Sequence, residues 1–308
     1  MRTIRIIRLA GALLLAACFF AAHIEGQSTT IDTADRFAWG ENIGWTNWRW
    51  DTGTPGAGAT IGQFVCSGYV FGENVGWINL GDGTPADGIH YSNTEAADFG
   101  VNHDGAGSLS GMAWGENIGW ITFDQGISDP PRVDLSTGRL AGYAWAENCG
   151  WIDLGSNGAH FVKTNAIAEG ADTDSDLIAD AWEREQAVAA GLDPLLTHLH
   201  KTTDYDGDGR TDLEEYRADT DPFSTSDHLR LVDFTVRDEA TENIDLEWTS
   251  SERRFYDVQE SADLPGPFAD FTGETDLPGA AGTTGATLSD PLGRRTFFRI
   301  EVKMPLTP

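Results

Sequence analysis

The chain is poor in cysteine, in basic side chains and in long apolar runs. It holds 3 Cys in 308 residues, and only Cys66 and Cys149 lie beyond its N-terminal stretch. That excludes a disulfide-dense scaffold and zinc modules built on paired cysteines. Cys66 and Cys149 read either as a disulfide, which export permits, or as two buried free thiols. Lys and Arg number 20 against 49 Asp and Glu, a net charge of -29. Such a surface repels phosphate, so nucleic acid and anionic lipid are poor candidates as partners. A hydrophobic content of 40% is too high for a disordered acidic protein. Nucleophile elbows, phosphate-binding glycine loops and zinc signatures are missing too.

Residues 1–26 read as an export signal. Arg2, Arg5 and Arg8 precede a short apolar run from Leu9 to Ala22. Leu15-Ala16-Ala17-Cys18 has the form of a lipobox, in which Cys18 carries a lipid anchor, whereas cleavage after Gly26 gives a freely secreted chain. No later run is long enough to span a bilayer as a helix. Both routes predict an extracellular or cell-surface location, outer-membrane lipoprotein included.

Glycine (36) and tryptophan (11) are abundant, which predicts a β-rich chain with many tight turns. Four copies of one motif recur: A-W-G-E-N-I-G-W at 38–45, V-F-G-E-N-V-G-W at 70–77, A-W-G-E-N-I-G-W at 113–120 and A-W-A-E-N-C-G-W at 144–151. The first pair recurs as the second, so the segment is an internal duplication of two hairpins. Each Glu-Asn-x-Gly is expected to be a four-residue loop in which Asn bonds locally and Gly supplies positive φ. The flanking Trp residues are expected to fill a shared core, with an exposed, sugar-stacking surface as the competing reading. Glu41, Glu73, Glu116 and Glu147 repeat with the turn and read as turn residues rather than catalytic acids. His90 and His160 read as strand-edge packing, and the His198/His200 pair is weak evidence for a transition metal.

Residues 170–225 are rich in Asp. Asp204-Tyr-Asp206-Gly-Asp208-Gly-Arg210-Thr-Asp212-Leu-Glu-Glu215 matches an EF-hand loop at every ligand position. Asp204, Asp206, Asp208, Asp212 and Glu215 offer carboxylates, Arg210 offers its carbonyl, and Gly209 takes the sharp turn. Asp172, Asp174, Asp176, the Ile178 carbonyl, Asp180 and Glu183 repeat the pattern, but Leu177 stands where Gly is expected. Holding a non-Gly residue at positive φ costs about 1–2 kcal/mol, so the first loop is expected to be the weaker. Calcium is the cation this oxygen set suits, and it is expected to fold a segment with little to bury.

From Leu229 the pattern returns to period two, as in Val232, Phe234 and Val236, then Ile244, Leu246 and Trp248. The two loops, with Gly191-Leu-Asp-Pro194 and Thr220-Asp-Pro222, resemble thrombospondin type 3-like calcium repeats of bacterial secreted modular proteins. That resemblance implies supplementary ligands at Asp193, Asp219 and Asp221. Residues 246–248, 256–264 and 296–300 resemble the β-module that often trails such repeats. The W-x-E-N-x-G-W units resemble repeats of bacterial exported proteins to which no function attaches.

The expected architecture is therefore mainly β. A hairpin-repeat β-sandwich or barrel (27–168) leads to a calcium-stapled connector with short helices (169–226). A C-terminal fibronectin type III-like β-sandwich (227–308) follows. The expected function is a non-catalytic calcium-binding role in surface binding, adhesion or scaffolding, with a glycan or another surface protein as partner. A carbohydrate-binding protein or a secreted polysaccharide hydrolase using the N-terminal domain is the alternative.

Overall fold

The computed structural model describes residues 29–50, 58–156, 158–238, 243–262, 266–289 and 297–307. The export signal and Cys18 lie outside the described residues. Among the described residues the chain is mainly β, with two short helices.

The four motif copies form four antiparallel hairpins: Ile31–Gly40 with Gly44–Asn47, Cys66–Gly72 with Gly76–Asn79, Leu109–Gly115 with Gly119–Phe123, and Tyr143–Ala146 with Gly150–Asp153. They pair in sequence order, and Trp39 and Gly40 of the first pair with Asp153 and Ile152 of the last. The result is a closed eight-stranded barrel. Closure removes the sheet edges that an open arrangement would leave unpaired.

An eight-stranded barrel is just wide enough for side chains to fill. That width decides which face of each strand turns inward. Ala38 lies opposite Thr46, Val70 opposite Ile78, Ala113 opposite Ile121 and Ala144 opposite Ile152, and all are buried. Trp48, Leu80, Phe123 and Leu154 join them, and the remaining internal void is about 20 Å³. The hairpin tryptophans therefore face outward, against expectation. Trp45, Trp114, Trp145 and Trp151 are exposed, and only Trp48 of this region is buried inside. The indoles pair across strands instead: Trp39 with Trp45, Phe71 with Trp77, Trp114 with Trp120 and Trp145 with Trp151. Their centroids are 4.7–5.0 Å apart, edge to face.

The turns also differ from expectation. Each is a three-residue Glu-Asn-x loop closed by Gly44, Gly76, Gly119 or Gly150 at φ of 75–84°, the form with a left-handed Gly at the bulge. The Asn does not serve its own turn. Asn74 Nδ2 donates to the Ile43 carbonyl, Asn117 to Val75, Asn148 to Ile118 and Asn42 to Cys149, at 3.0–3.1 Å. Each hairpin thus grips its predecessor, and the four bonds close a ring around one end of the barrel.

The same end explains Cys149. A Cβ on Gly40, Gly72 or Gly115 would sit 2.4–2.6 Å from Ile43, Val75 or Ile118 of the same turn. The fourth copy has Ala146 in place of that Gly and the smaller Cys149 in place of the β-branched residue. The two changes compensate in volume, and Cys66 and Cys149 are both free thiols. Burial pushes the Cys66 thiol up to about 12, which leaves it inert. Cys149→Ile is expected to overpack this turn and lower barrel stability by about 1–3 kcal/mol. Adding Ala146→Gly should recover most of the loss, as read by a double-mutant cycle on the calorimetric melting midpoint. An additive pair would show that the two positions do not compensate.

The connector carries helices α1 (Asp180–Ala189) and α2 (Asp212–Ala218). Its core is Ile178, Ala179, Trp182, Leu199 and Tyr216, completed by Phe64 from the barrel. Val188 and Leu195, apolar in the sequence, stay exposed. Beyond it, two sheets enclose Leu246, Trp248, Tyr256, Val258 and Leu288. One sheet holds Leu231–Asp238, Asn243–Ser250 and Gly282–Ser289. The other holds Phe255–Ser261 with Ala269–Asp270, Leu277–Pro278 and Phe297–Lys303.

Two adjacent arginines join the three parts. Arg253 of the sandwich makes a two-pronged ion pair with Glu185 of α1, and its Nε donates to the Asp104 carbonyl of the barrel at 2.8 Å. Arg254 is fully buried. It donates to the carbonyls of Tyr216 and Arg217 at 2.6 and 2.7 Å, the C-terminal end of α2, where positive charge is favoured.

Candidate metal centre

Two segments of the connector share one local design, a tight acidic loop running into a helix. In the second, Asp204 accepts from the amides of Gly207 and Gly209, and Asp208 accepts from Arg210. In the first, Asp172 accepts from Asp176 and Leu177, and Asp176 accepts from Ile178. Gly207 and Gly209 have φ of 80° and 96°, and Ser175 and Leu177 reproduce those signs at 63° and 74°. Leu177 therefore takes the turn that glycine takes in the second loop, with its side chain out in solvent.

The turns bring carboxylates together. Oxygens of Asp172, Asp174 and Asp176 lie within 4.8 Å of one another, as do those of Asp204, Asp206 and Asp208. One turn into each helix, Glu183 and Glu215 are only 1% and 2% exposed. Both oxygens of each carboxylate are buried and lack a hydrogen-bond partner. Burial, reinforced by Asp176, Asp174 and Asp180, pushes the Glu183 carboxyl up to about 9. Burial, with Asp206 and Asp208, pushes Glu215 up to about 8. A buried carboxylate surrounded by its own sign lacks a cation. Each loop is thus a group of Asp residues that can hold a metal ion, faced by a Glu with both oxygens free.

The ninth-position residues do something else. Asp180 accepts from the Thr173 amide and hydroxyl, and Asp212 accepts from the amides of His200 and Tyr205 and from the Thr203 hydroxyl. Each pins the second residue of its loop back onto its helix. Ile178 and Arg210, at the seventh positions, bond through their amides to the fifth-position Asp. Asp193, Asp219 and Asp221 are not brought into either triplet. Asp193 is exposed, and Asp221 accepts from the Phe223 amide. Asp219 accepts from Trp182 Nε1 and Ser251 Oγ and faces Arg253 and Arg254.

Sequence reasoning missed His228, whose Nδ1 lies 2.8 Å from Asp208 Oδ2. It also missed a third carboxylate group, Asp257, Asp270 and Glu301. No spacing signals that group, because its members sit on separate strands. Lys303 and the Gln259 amide already balance it. The four turn glutamates are exposed at the tips of their turns. His198 bonds the Asp193 carbonyl and His200 bonds Thr202, so the two rings do not converge.

No protein-family model, curated protein or solved structure matches the chain. Among the described residues, no helix is long and apolar enough to cross a membrane.

Proposed function

We propose that this is an exported, non-catalytic calcium-binding protein of the thrombospondin type 3-like modular kind. Two calcium ions, one per loop, hold the connector that sets the barrel against the sandwich. The observation that carries this reading is the pair Glu183 and Glu215, each with two buried oxygens and no protein partner. A bidentate carboxylate at the twelfth position of a loop bearing three spaced Asp is what a hard cation of six to eight oxygens needs. The outward indole rows support a role in contacting an extracellular partner rather than passive spacing.

Calorimetric titration of the metal-free chain tests the reading. Two calcium ions should bind, and Glu183→Gln and Glu215→Gln should each remove one. Leu177→Gly should tighten the weaker site, because the turn then costs about 1–2 kcal/mol less. Unchanged stoichiometry in both Gln variants would refute the assignment.

A further inference from the structure

The barrel repeats one aromatic arrangement around its outside. In three of the four hairpins, a ring from the segment after the preceding hairpin packs on the second tryptophan of the cross-strand pair. His160, after the fourth hairpin, sits on Trp45 at 5.0 Å. Trp50, after the first, sits on Trp77 at 5.6 Å, and Phe99, after the second, sits on Trp120 at 5.1 Å.

The fourth seat breaks the pattern. The segment after the third hairpin, 124–131, reads D-Q-G-I-S-D-P-P and contains no aromatic residue. Among the described residues, Trp151 meets only rings of its own hairpin, Tyr143 and Trp145. It is 45% exposed, the most open of the hairpin indoles. A cleft of about 820 Å³ opens there, lined by Trp39, Trp151, Tyr143, Ile127 and Ser128 and by the carboxylates of Glu41, Asp129 and Asp153.

We infer that this fourth seat binds a neutral sugar ring of a polysaccharide, which takes the place of the missing side-chain ring. The cleft supplies what a pyranose recognises. Indole and phenol faces receive its apolar C–H face, and fixed carboxylates around them accept from its hydroxyls. Two of these acceptors are held in place before any ligand arrives. Asp153 accepts from the Gly155 and Ser156 amides and is 6% exposed, and Asp129 is gripped by Arg132. Such preorganisation lowers the entropy lost on binding. No basic side chain lines the cleft, and Arg132 reaches it only through its ion pair with Asp129, so carboxylates outnumber cations there and an acidic sugar is disfavoured. The inference rests on the partner-contacting reading given above and is independent of the calcium ions.

Affinity electrophoresis of the calcium-loaded full chain tests it, in gels containing a β-1,3-glucan, a β-1,4-glucan, a xylan or a galactomannan, with alginate as the acidic probe. At least one neutral polysaccharide should retard the protein. Trp151→Ala and Ser128→Trp, which fills the seat with a ring as in the other hairpins, should each weaken retardation by about tenfold or more. Trp114→Ala, also exposed but outside the cleft, should change it by less than about twofold. No retardation in any neutral gel, a preference for alginate, or equal loss in Trp114→Ala would each overturn the inference. Calcium stoichiometry measured on the same preparation keeps this failure distinct from failure of the metal sites.

Discussion

Removal of calcium is expected to melt the connector ahead of the barrel, and more readily at pH 8 than at pH 5. The barrel is closed by hydrogen bonds around its whole girth and encloses its own packed core. The connector buries a handful of side chains and borrows Phe64 to do so. Saturating each site at about a hundredfold excess over its dissociation constant adds about 2.7 kcal/mol. The two loops together then supply much of what a segment of this size needs. The pH dependence follows from Glu183 and Glu215, whose carboxyls are raised from 4.5 to about 9 and about 8. Between those values the folded, metal-free chain holds protons that the unfolded chain has released. Stability therefore falls as pH rises through that window. Calcium replaces those protons and should remove or invert the slope. Scanning calorimetry at both pH values, with chelator and with calcium, reads both effects. A metal-free chain that is more stable at pH 8 would contradict the assignment of these two carboxylates.

Arg254→Ala is expected to destabilise the chain by about 3–5 kcal/mol, the usual consequence of removing one member of a buried charged network. The last carbonyls of α2 would lose their buried donor, and Asp219 would lose a nearby positive charge. Because α2 also presents Glu215, the second loop should lose calcium affinity although Arg254 belongs to the sandwich. Arg254→Lys should rescue little, since a single ammonium cannot serve the Tyr216, Arg217 and Arg253 carbonyls together. Hydrogen exchange at the amides of α2 is the direct readout. Unchanged protection there would show that the arginine only fills space.

The mainly β character, the duplicated hairpins and the two acidic loops could all be read from the sequence, because each rests on local spacing. The facing of the tryptophans could not. An Ala-Trp-Gly alternation has two faces, and period two does not say which turns inward. Barrel closure decides it, since a narrow interior accepts Ala and Ile but not eight large rings. The partner of each turn Asn was hidden for the same reason: its acceptor lies one hairpin away. In the connector, regular spacing nominated Asp172, Asp174, Asp176, Asp204, Asp206 and Asp208, and the fold brings their carboxylates together in two groups that could hold a metal ion. The resemblance to the calcium repeats also nominated Asp219 as a supplementary ligand, yet Trp182 and Ser251, far away in sequence, take up its oxygens. Spacing names candidate oxygens, and the surrounding fold determines which remain free.

The asparagine ring also makes the barrel cyclic in a topological sense. Its four bonds run in one direction around the turn end, and the bond from Asn42 to Cys149 is as short as the other three. The junction of first and last hairpins is therefore sealed like any internal one, and the ring has no seam at which counting must begin. The chain's entry and exit are adjacent as well, with Ile31 paired to Thr164 and the Asn165 amide donating to the Thr30 carbonyl. Hairpin order is thus a property of the covalent chain alone. A circular permutant opened between the second and third hairpins would present the same barrel, with the connector emerging from the opposite side of the duplication.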